Sequence, residues 1–140
     1  MRSAAAIGLA IMLFTPMAAA AQQPMSTSQG VFSEDQVKLG EAQYRSSCSR
    51  CHGADLQRTD PEAANLTGAA FDLLFVGQTM RERYERIFYT MPVNNPGSLD
   101  PIAALNILVY VLAYNGVPAG EADLPLDMHL LGSITIDKPN

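Results

Sequence analysis

Two cysteines and a histidine stand within five consecutive residues of this chain. Cys48 and Cys51 are three residues apart and His52 follows directly, which matches the C-x-x-C-H spacing. Cysteines at this spacing can form thioethers with the two vinyl groups of one porphyrin, and the adjacent histidine is then held as an axial ligand of the iron. The motif therefore predicts one covalently attached haem c.

Three other uses of these residues compete with the haem interpretation. A thiol redox pair is disfavoured because no alternating strand and helix pattern surrounds Cys48 and Cys51. A zinc site needs a fourth ligand, and the second histidine of the chain, His129, lies far away without a cysteine beside it. A simple disulfide leaves His52 without a role.

Methionine is the expected second ligand, because a thioether is a soft donor that suits haem iron. Met91 lies in Thr90-Met91-Pro92, where the proline stiffens the backbone and discourages the preceding helix from continuing. We therefore expect Met91 to be the distal ligand, with His129 or an open position as alternatives. Met80 fits a buried helix face and is predicted to be core. The other methionines fall in the terminal segments described next: Met1, Met12, Met17, Met25 and Met128.

The N-terminus has the layout of a secretory signal peptide. A basic residue, Arg2, precedes an apolar run over residues 4–14, and small residues at 19–21 suit a cleavage site. We expect residues 1–21 to be removed on export to the periplasm, which leaves no membrane span. Residues 22–32 are polar and are predicted to form a flexible leader.

Apolar periodicity predicts an all-α domain over residues 33–124. The expected helices are 33–46, a short one near 69–75, one that starts after Thr79, and 101–115. Gly40 lies inside the first helix, where glycine costs about 1 kcal/mol relative to alanine. We therefore expect it to allow close packing against another backbone. Residues 125–140 are expected to be an extended tail that wraps the helices without forming a sheet.

Capping signals support the starts of these helices. They are a capping box at Ser33 and Gln36, a second box at Thr79 and Glu82, and Asp100 as N-cap before Pro101.

The predicted mature chain is acidic. The full sequence carries 9 Lys and Arg against 14 Asp and Glu, and removal of Arg2 leaves 8 − 14 = −6 at pH 7. Nucleic acids and anionic membranes bind through Lys and Arg, so both are disfavoured as partners. A redox partner that docks electrostatically is expected to present a basic patch. Paired carboxylates, a nucleophile with its base and a phosphate loop are all missing from the sequence, so we expect an electron-transfer protein and not an enzyme.

Taken together, these residues resemble the class I cytochrome c family over Glu34 to Leu124. Cys48 to Gly53 is similar to the haem-attachment motif of that family, and Thr90-Met91-Pro92 is similar to its distal-ligand motif. The resemblance implies a cytochrome c fold, in which three to four helices pack around one haem. It also implies a crossing of the first and last helices, with Gly40 and Tyr44 on one side and Ile107 and Tyr110 on the other.

Two further segments bear on the haem environment. Residues 63–68 resemble the proximal loop of the family, in which a backbone carbonyl accepts a hydrogen bond from the ligating imidazole. Ala64 stands where proline is usual there. The family often has a tryptophan near one haem propionate, and Phe75 stands in that region of this chain, which contains no tryptophan.

A narrower likeness concerns possible partners. Residues 84–92 and 112–120 are similar to haem domains associated with quinoprotein alcohol and sugar dehydrogenases. We therefore expect either a free periplasmic carrier or the haem subunit of a dehydrogenase, with a quinoprotein as donor and a terminal oxidase or another cytochrome as acceptor. The alternative functions are a haem enzyme or gas sensor with an open distal site, and a thiol-disulfide module.

Overall fold

The computed structural model describes residues 25–139, and the predicted signal peptide lies outside this range. The described part of the chain is mainly helical, which confirms the all-α prediction at the level of secondary structure. The six helices are α1 (Glu34–Ser47), α2 (Ser49–His52), α3 (Ala69–Phe75), α4 (Met80–Thr90), α5 (Pro101–Tyr114) and α6 (Met128–Ser133). Within the described range, no helix is long and apolar enough to cross a membrane.

Helix α5 forms the centre of the domain. All residues from Ala104 to Leu112 are buried, so every side of this helix contacts other parts of the protein. Its start is as predicted, because the Asp100 side chain accepts hydrogen bonds from the backbone N–H groups of Ile102 and Ala103.

Helix α1 packs against α5 at Gly40. A Cβ atom at this position would lie 1.9 Å from the carbonyl oxygen of Asn106 and 2.9 Å from the Cβ atom of Tyr110. One turn further along α1, the rings of Tyr44 and Tyr110 lie 5.2 Å apart. The close backbone packing predicted for Gly40 is therefore confirmed, with Asn106 and Tyr110 as the nearest contacts.

One of the two predicted capping boxes is complete. At the start of α4, Thr79 and Glu82 exchange both hydrogen bonds of the box. At the start of α1, the Ser33 side chain accepts from the backbone N–H of Gln36, but the Gln36 side chain does not return the bond. It donates instead to Asn106 Oδ1 and to the carbonyl of Leu124 and accepts from the N–H of Leu124. The box at Ser33 and Gln36 was therefore predicted only in part, because the buried amide of Gln36 has other partners in the tertiary structure.

The segments at the two ends of the domain differ from expectation. Strand β1 (Met25–Ser26) pairs in parallel with β2 (Ile134–Thr135), so the prediction that the tail forms no sheet was wrong. Residues 22–32 were expected to be a flexible leader, yet Thr27 and Phe32 are fully buried. The tail also contains α6 and is not extended throughout. The physical reason is that burial of Phe32, Leu131 and Ile136 offsets the cost of ordering both segments.

Candidate haem-attachment site

Cys48, Cys51 and His52 share one helical turn. Cys48 is the C-cap of α1 and the N-cap of α2. Its carbonyl accepts hydrogen bonds from the N–H groups of Cys51 and His52 at 3.1 and 3.0 Å. The two cysteines are half-buried and are not joined in a disulfide. The turn therefore presents two free thiols and one imidazole from a short, rigid segment.

The imidazole of His52 is oriented by a backbone carbonyl. Its Nδ1 atom lies 2.8 Å from the carbonyl oxygen of Ala64, so Nδ1 carries the proton and donates the bond. This tautomer leaves Nε2 with a free lone pair, as a metal-ligating histidine requires. This hydrogen bond to the carbonyl of Ala64 is the one that the resemblance implies for this loop.

The loop that carries Ala64 is held by bonds to the segment after the motif. Leu66 donates its N–H to the carbonyl of Leu56 at 2.9 Å, and the Asn65 side chain accepts from the N–H of Arg58 at 2.9 Å. These two hydrogen bonds hold the loop next to Ala64, so that the Ala64 carbonyl stays directed at the imidazole of His52.

Tyr44 forms a side-chain hydrogen bond to the residue that follows the motif. Its hydroxyl donates to the carbonyl of Gly53 at 2.7 Å, and its side chain is fully buried. Burial raises the pKa of Tyr44 far above the usual range, so the hydroxyl stays protonated and remains a donor. Sequence reasoning placed Tyr44 at the helix crossing but missed this bond, because only the folded chain brings it to Gly53.

The environment of Cys48 disfavours its use as a redox-active thiol. Burial, with a smaller contribution from the nearby Cys51, raises the pKa of Cys48 to about 11. Reactive thiols in disulfide oxidoreductases have lowered pKa values, since the thiolate is the nucleophile. The Cys48 thiol is therefore protonated at neutral pH, unlike the reactive thiol of a disulfide oxidoreductase.

Met91 lies on a different element from the cysteines and His52, because it directly follows the last residue of α4. Its N–H donates to the carbonyl of Ile87 at 3.0 Å, while its own backbone is extended, with φ −116° and ψ 154°. The helix thus ends at Thr90, where the proline was expected to stop it, and the half-buried Met91 side chain belongs to the first residue outside it.

The other potential ligands lie in less suitable places. Met80 is fully buried in the core, as predicted. His129 is exposed on α6, while Met25 is exposed and Met128 half-buried in the terminal segments. Within residues 25–139 no group of three or more His, Cys, Asp or Glu side chains is placed to hold a metal ion.

The donor set on this chain fits haem c. Two unbridged thiols at the attachment spacing, an imidazole with Nε2 free and a thioether on another element are the groups that such a haem uses. No protein-family model, no curated protein and no solved structure matches this chain. The functional inference therefore depends on the side chains and their geometry.

Proposed function

We propose that this chain is an exported, single-haem c-type cytochrome with a cytochrome c fold, which transfers single electrons. It acts either as a free periplasmic carrier or as the haem subunit of a dehydrogenase. The observation that carries the proposal is the hydrogen bond from His52 Nδ1 to the Ala64 carbonyl, directly after a C-x-x-C pair. This bond orients the imidazole for metal binding. Neither a disulfide nor a thiol redox pair would need a histidine that is oriented in this way.

The two cysteines attach the group and His52 orients it. Each thiol adds its sulfur to one carbon of a vinyl group and its hydrogen to the other, so a thioether forms and nothing leaves. Cys48 and Cys51 are fixed on one turn, and the covalent link therefore holds His52 close to the iron without a loss of conformational freedom at each binding event. The haem iron supplies the one-electron chemistry.

Met91 is proposed as the distal ligand. A thioether raises the reduction potential of haem iron relative to harder ligands, and a second protein ligand leaves no position for a substrate. The backbone before Met91 is part of a helix with a complete capping box, which favours a stable placement of the ligand.

The net charge suggests how this protein meets its partners. With −6 on the predicted mature chain, electrostatic docking favours a partner with a basic surface. A quinoprotein dehydrogenase as donor, and a terminal oxidase or another cytochrome as acceptor, are the partners that the resemblance suggests. Recovery of the protein in complex with a quinoprotein enzyme would support the subunit role over that of a free carrier.

The first test is the mass and optical spectrum of protein matured with the c-type haem machinery. We expect the cleaved chain plus one haem, sharp low-spin ferrous bands, and a weak near-infrared ferric band that is lost in Met91→Ala. Met128→Ala is the matched control, since it removes another half-buried methionine and should keep the band.

The alternatives give different results in the same experiment. A mass equal to the bare cleaved chain would exclude haem attachment and favour the thiol-disulfide module. A high-spin ferric spectrum, or a near-infrared band unchanged in Met91→Ala, would contradict the distal assignment. Ready binding of carbon monoxide to the ferrous wild-type protein at neutral pH would favour an enzyme or sensor with an open distal site.

A further inference from the structure

Arg83 is a half-buried cation that lacks an anionic partner in the described part of the chain. Its guanidinium carbon lies 4.3 Å from the ring centroid of Phe75, a residue with 2% exposure. Its Nε atom is buried and has no hydrogen-bond partner among residues 25–139. The nearest polar contact is Gln78 Oε1, 3.4 Å from a terminal nitrogen of Arg83, at the outer limit of a hydrogen bond.

The ion pairs in the described part of the chain differ from the environment of Arg83. Four cations are paired with carboxylates at 2.7 to 2.9 Å, and all four pairs are at the surface: Lys38, Arg45, Arg81 and Lys138. The other described cations outside these pairs, Arg50, Arg58 and Arg86, are exposed, whereas Arg83 is half-buried. Partial burial of an unpaired charge is costly, so an anion beside Arg83 would stabilise this arrangement.

The electrostatic environment of Arg83 also favours a nearby anion. Burial lowers the pKa of Arg83, the neighbouring positive charge of Arg86 lowers it further, and Glu82 acts in the opposite direction. Arginine nevertheless stays protonated in proteins, so the charge cannot be removed by titration. The planar guanidinium presents parallel N–H groups that match a carboxylate.

The position of Arg83 on α4 identifies the source of that carboxylate. Arg83 and Ile87 are spaced by four on α4 and therefore lie on one side of that helix, and the N–H of Met91, the first residue after the helix, donates to the carbonyl of Ile87. Arg83 thus lies on the helix that leads directly into Met91, eight residues before it. A haem ligated by Met91 would lie next to the C-terminal end of α4, and its propionates are the carboxylates that it would bring there.

We propose that Arg83 is the residue that pairs with a haem propionate, with Phe75 supporting the guanidinium from its other face. This inference rests on the proposed function, because it requires a haem bound between His52 and Met91. Arg83 would act as a positioning residue that fixes the orientation of the haem in its plane. It would also raise the reduction potential, since a nearby positive charge favours the reduced, less positive form of the haem.

The test compares two arginine variants of the haem-loaded protein. Arg83→Gln removes the half-buried charge, whereas Arg86→Gln removes the same charge from an exposed position on the same helix. We expect Arg83→Gln to lower the reduction potential clearly more than Arg86→Gln. We also expect it to raise the pKa of the propionate, so that the potential falls with increasing pH across the neutral range. Arg83→Lys keeps the charge and should restore most of the wild-type potential.

The outcomes separate this inference from the proposed function. If the wild-type protein carries no haem mass, both fail together. If the haem is attached but Arg83→Gln and Arg86→Gln have the same potential and pH profile, only the role of Arg83 is overturned. The wild-type protein provides a further test if Arg83→Gln does not mature. Its potential should be independent of pH across the neutral range, and a propionate that titrates there would overturn the pairing.

Discussion

Replacement of Gly40 by alanine tests the close packing of helix α1 against helix α5. The added Cβ atom would lie 1.9 Å from the Asn106 carbonyl oxygen and 2.7 Å from its carbonyl carbon. Contacts of this kind are not found below 3.0 Å, so α1 and α5 would have to separate by at least 3.0 − 1.9 = 1.1 Å. The obstacle is helix backbone, which cannot rotate away as a flexible side chain would.

Two opposing effects determine the size of the change. Overpacking of a tight interface costs about 1–3 kcal/mol, and we expect the upper part of that range because the tilted ring pair of Tyr44 and Tyr110 is displaced as well. Alanine in place of glycine inside a helix returns about 1 kcal/mol. The net destabilisation is therefore about 2 kcal/mol, which corresponds to a decrease in Tm of about 8 °C for a domain of this size.

The assay is thermal unfolding of the matured protein, followed by circular dichroism. Gly132→Ala is the matched control, since this glycine is also helical but its added Cβ would only contact Arg81 Cδ at 3.7 Å. That variant should keep or slightly raise the Tm. A Gly40→Ala protein as stable as Gly132→Ala would refute the close approach of α1 and α5.

Three further predictions concern helix capping, buried polar contacts and thiol ionisation. Asp100→Ala should lower the free energy of unfolding in urea by about 1 kcal/mol, because α5 loses its N-cap, while Asp100→Asn should lose much less. Gln36→Ala should cost about 1–3 kcal/mol in the same assay because it leaves the buried Asn106 amide and the Leu124 backbone without partners, whereas the exposed Gln57→Ala should be nearly neutral. In protein produced without haem, alkylation of Cys48 can be followed by peptide mass mapping. It should be slow at neutral pH and should accelerate with a midpoint at about pH 11, because the raised pKa delays formation of the thiolate. Rapid alkylation at neutral pH would contradict this environment.

Much of the helical architecture was predictable because its signals are local. The starts of α4 and α5 depend on Thr79 and Asp100, whose side chains bond to backbone N–H groups only two or three residues away. The end of α4 was likewise predictable from Pro92. Such interactions are present in the sequence order itself and need no knowledge of the rest of the chain.

Local rules failed where a distant partner offered a better contact. Gln36 fits the capping box by type and spacing, yet its amide bonds to Asn106 and Leu124, and a buried amide with several partners is more stable than one returned to the helix end. The composition of residues 22–32 is that of a flexible leader, but Phe32 and Thr27 are fully buried, and the Thr27 hydroxyl accepts a hydrogen bond from the N–H of Asp137. Composition alone does not show which apolar residues have a surface to pack against.

The sequence by itself determined the chemical groups of the candidate site: two cysteines at the haem-attachment spacing, the histidine beside them, and a methionine before a proline. Only the tertiary structure decided how these groups are held. It placed the Ala64 carbonyl 2.8 Å from His52 Nδ1, the Tyr44 hydroxyl against Gly53, and the Arg83 guanidinium on Phe75. The physical reason is that residue types and short spacings are local properties, whereas hydrogen bonds between distant segments exist only after the chain has folded around its core.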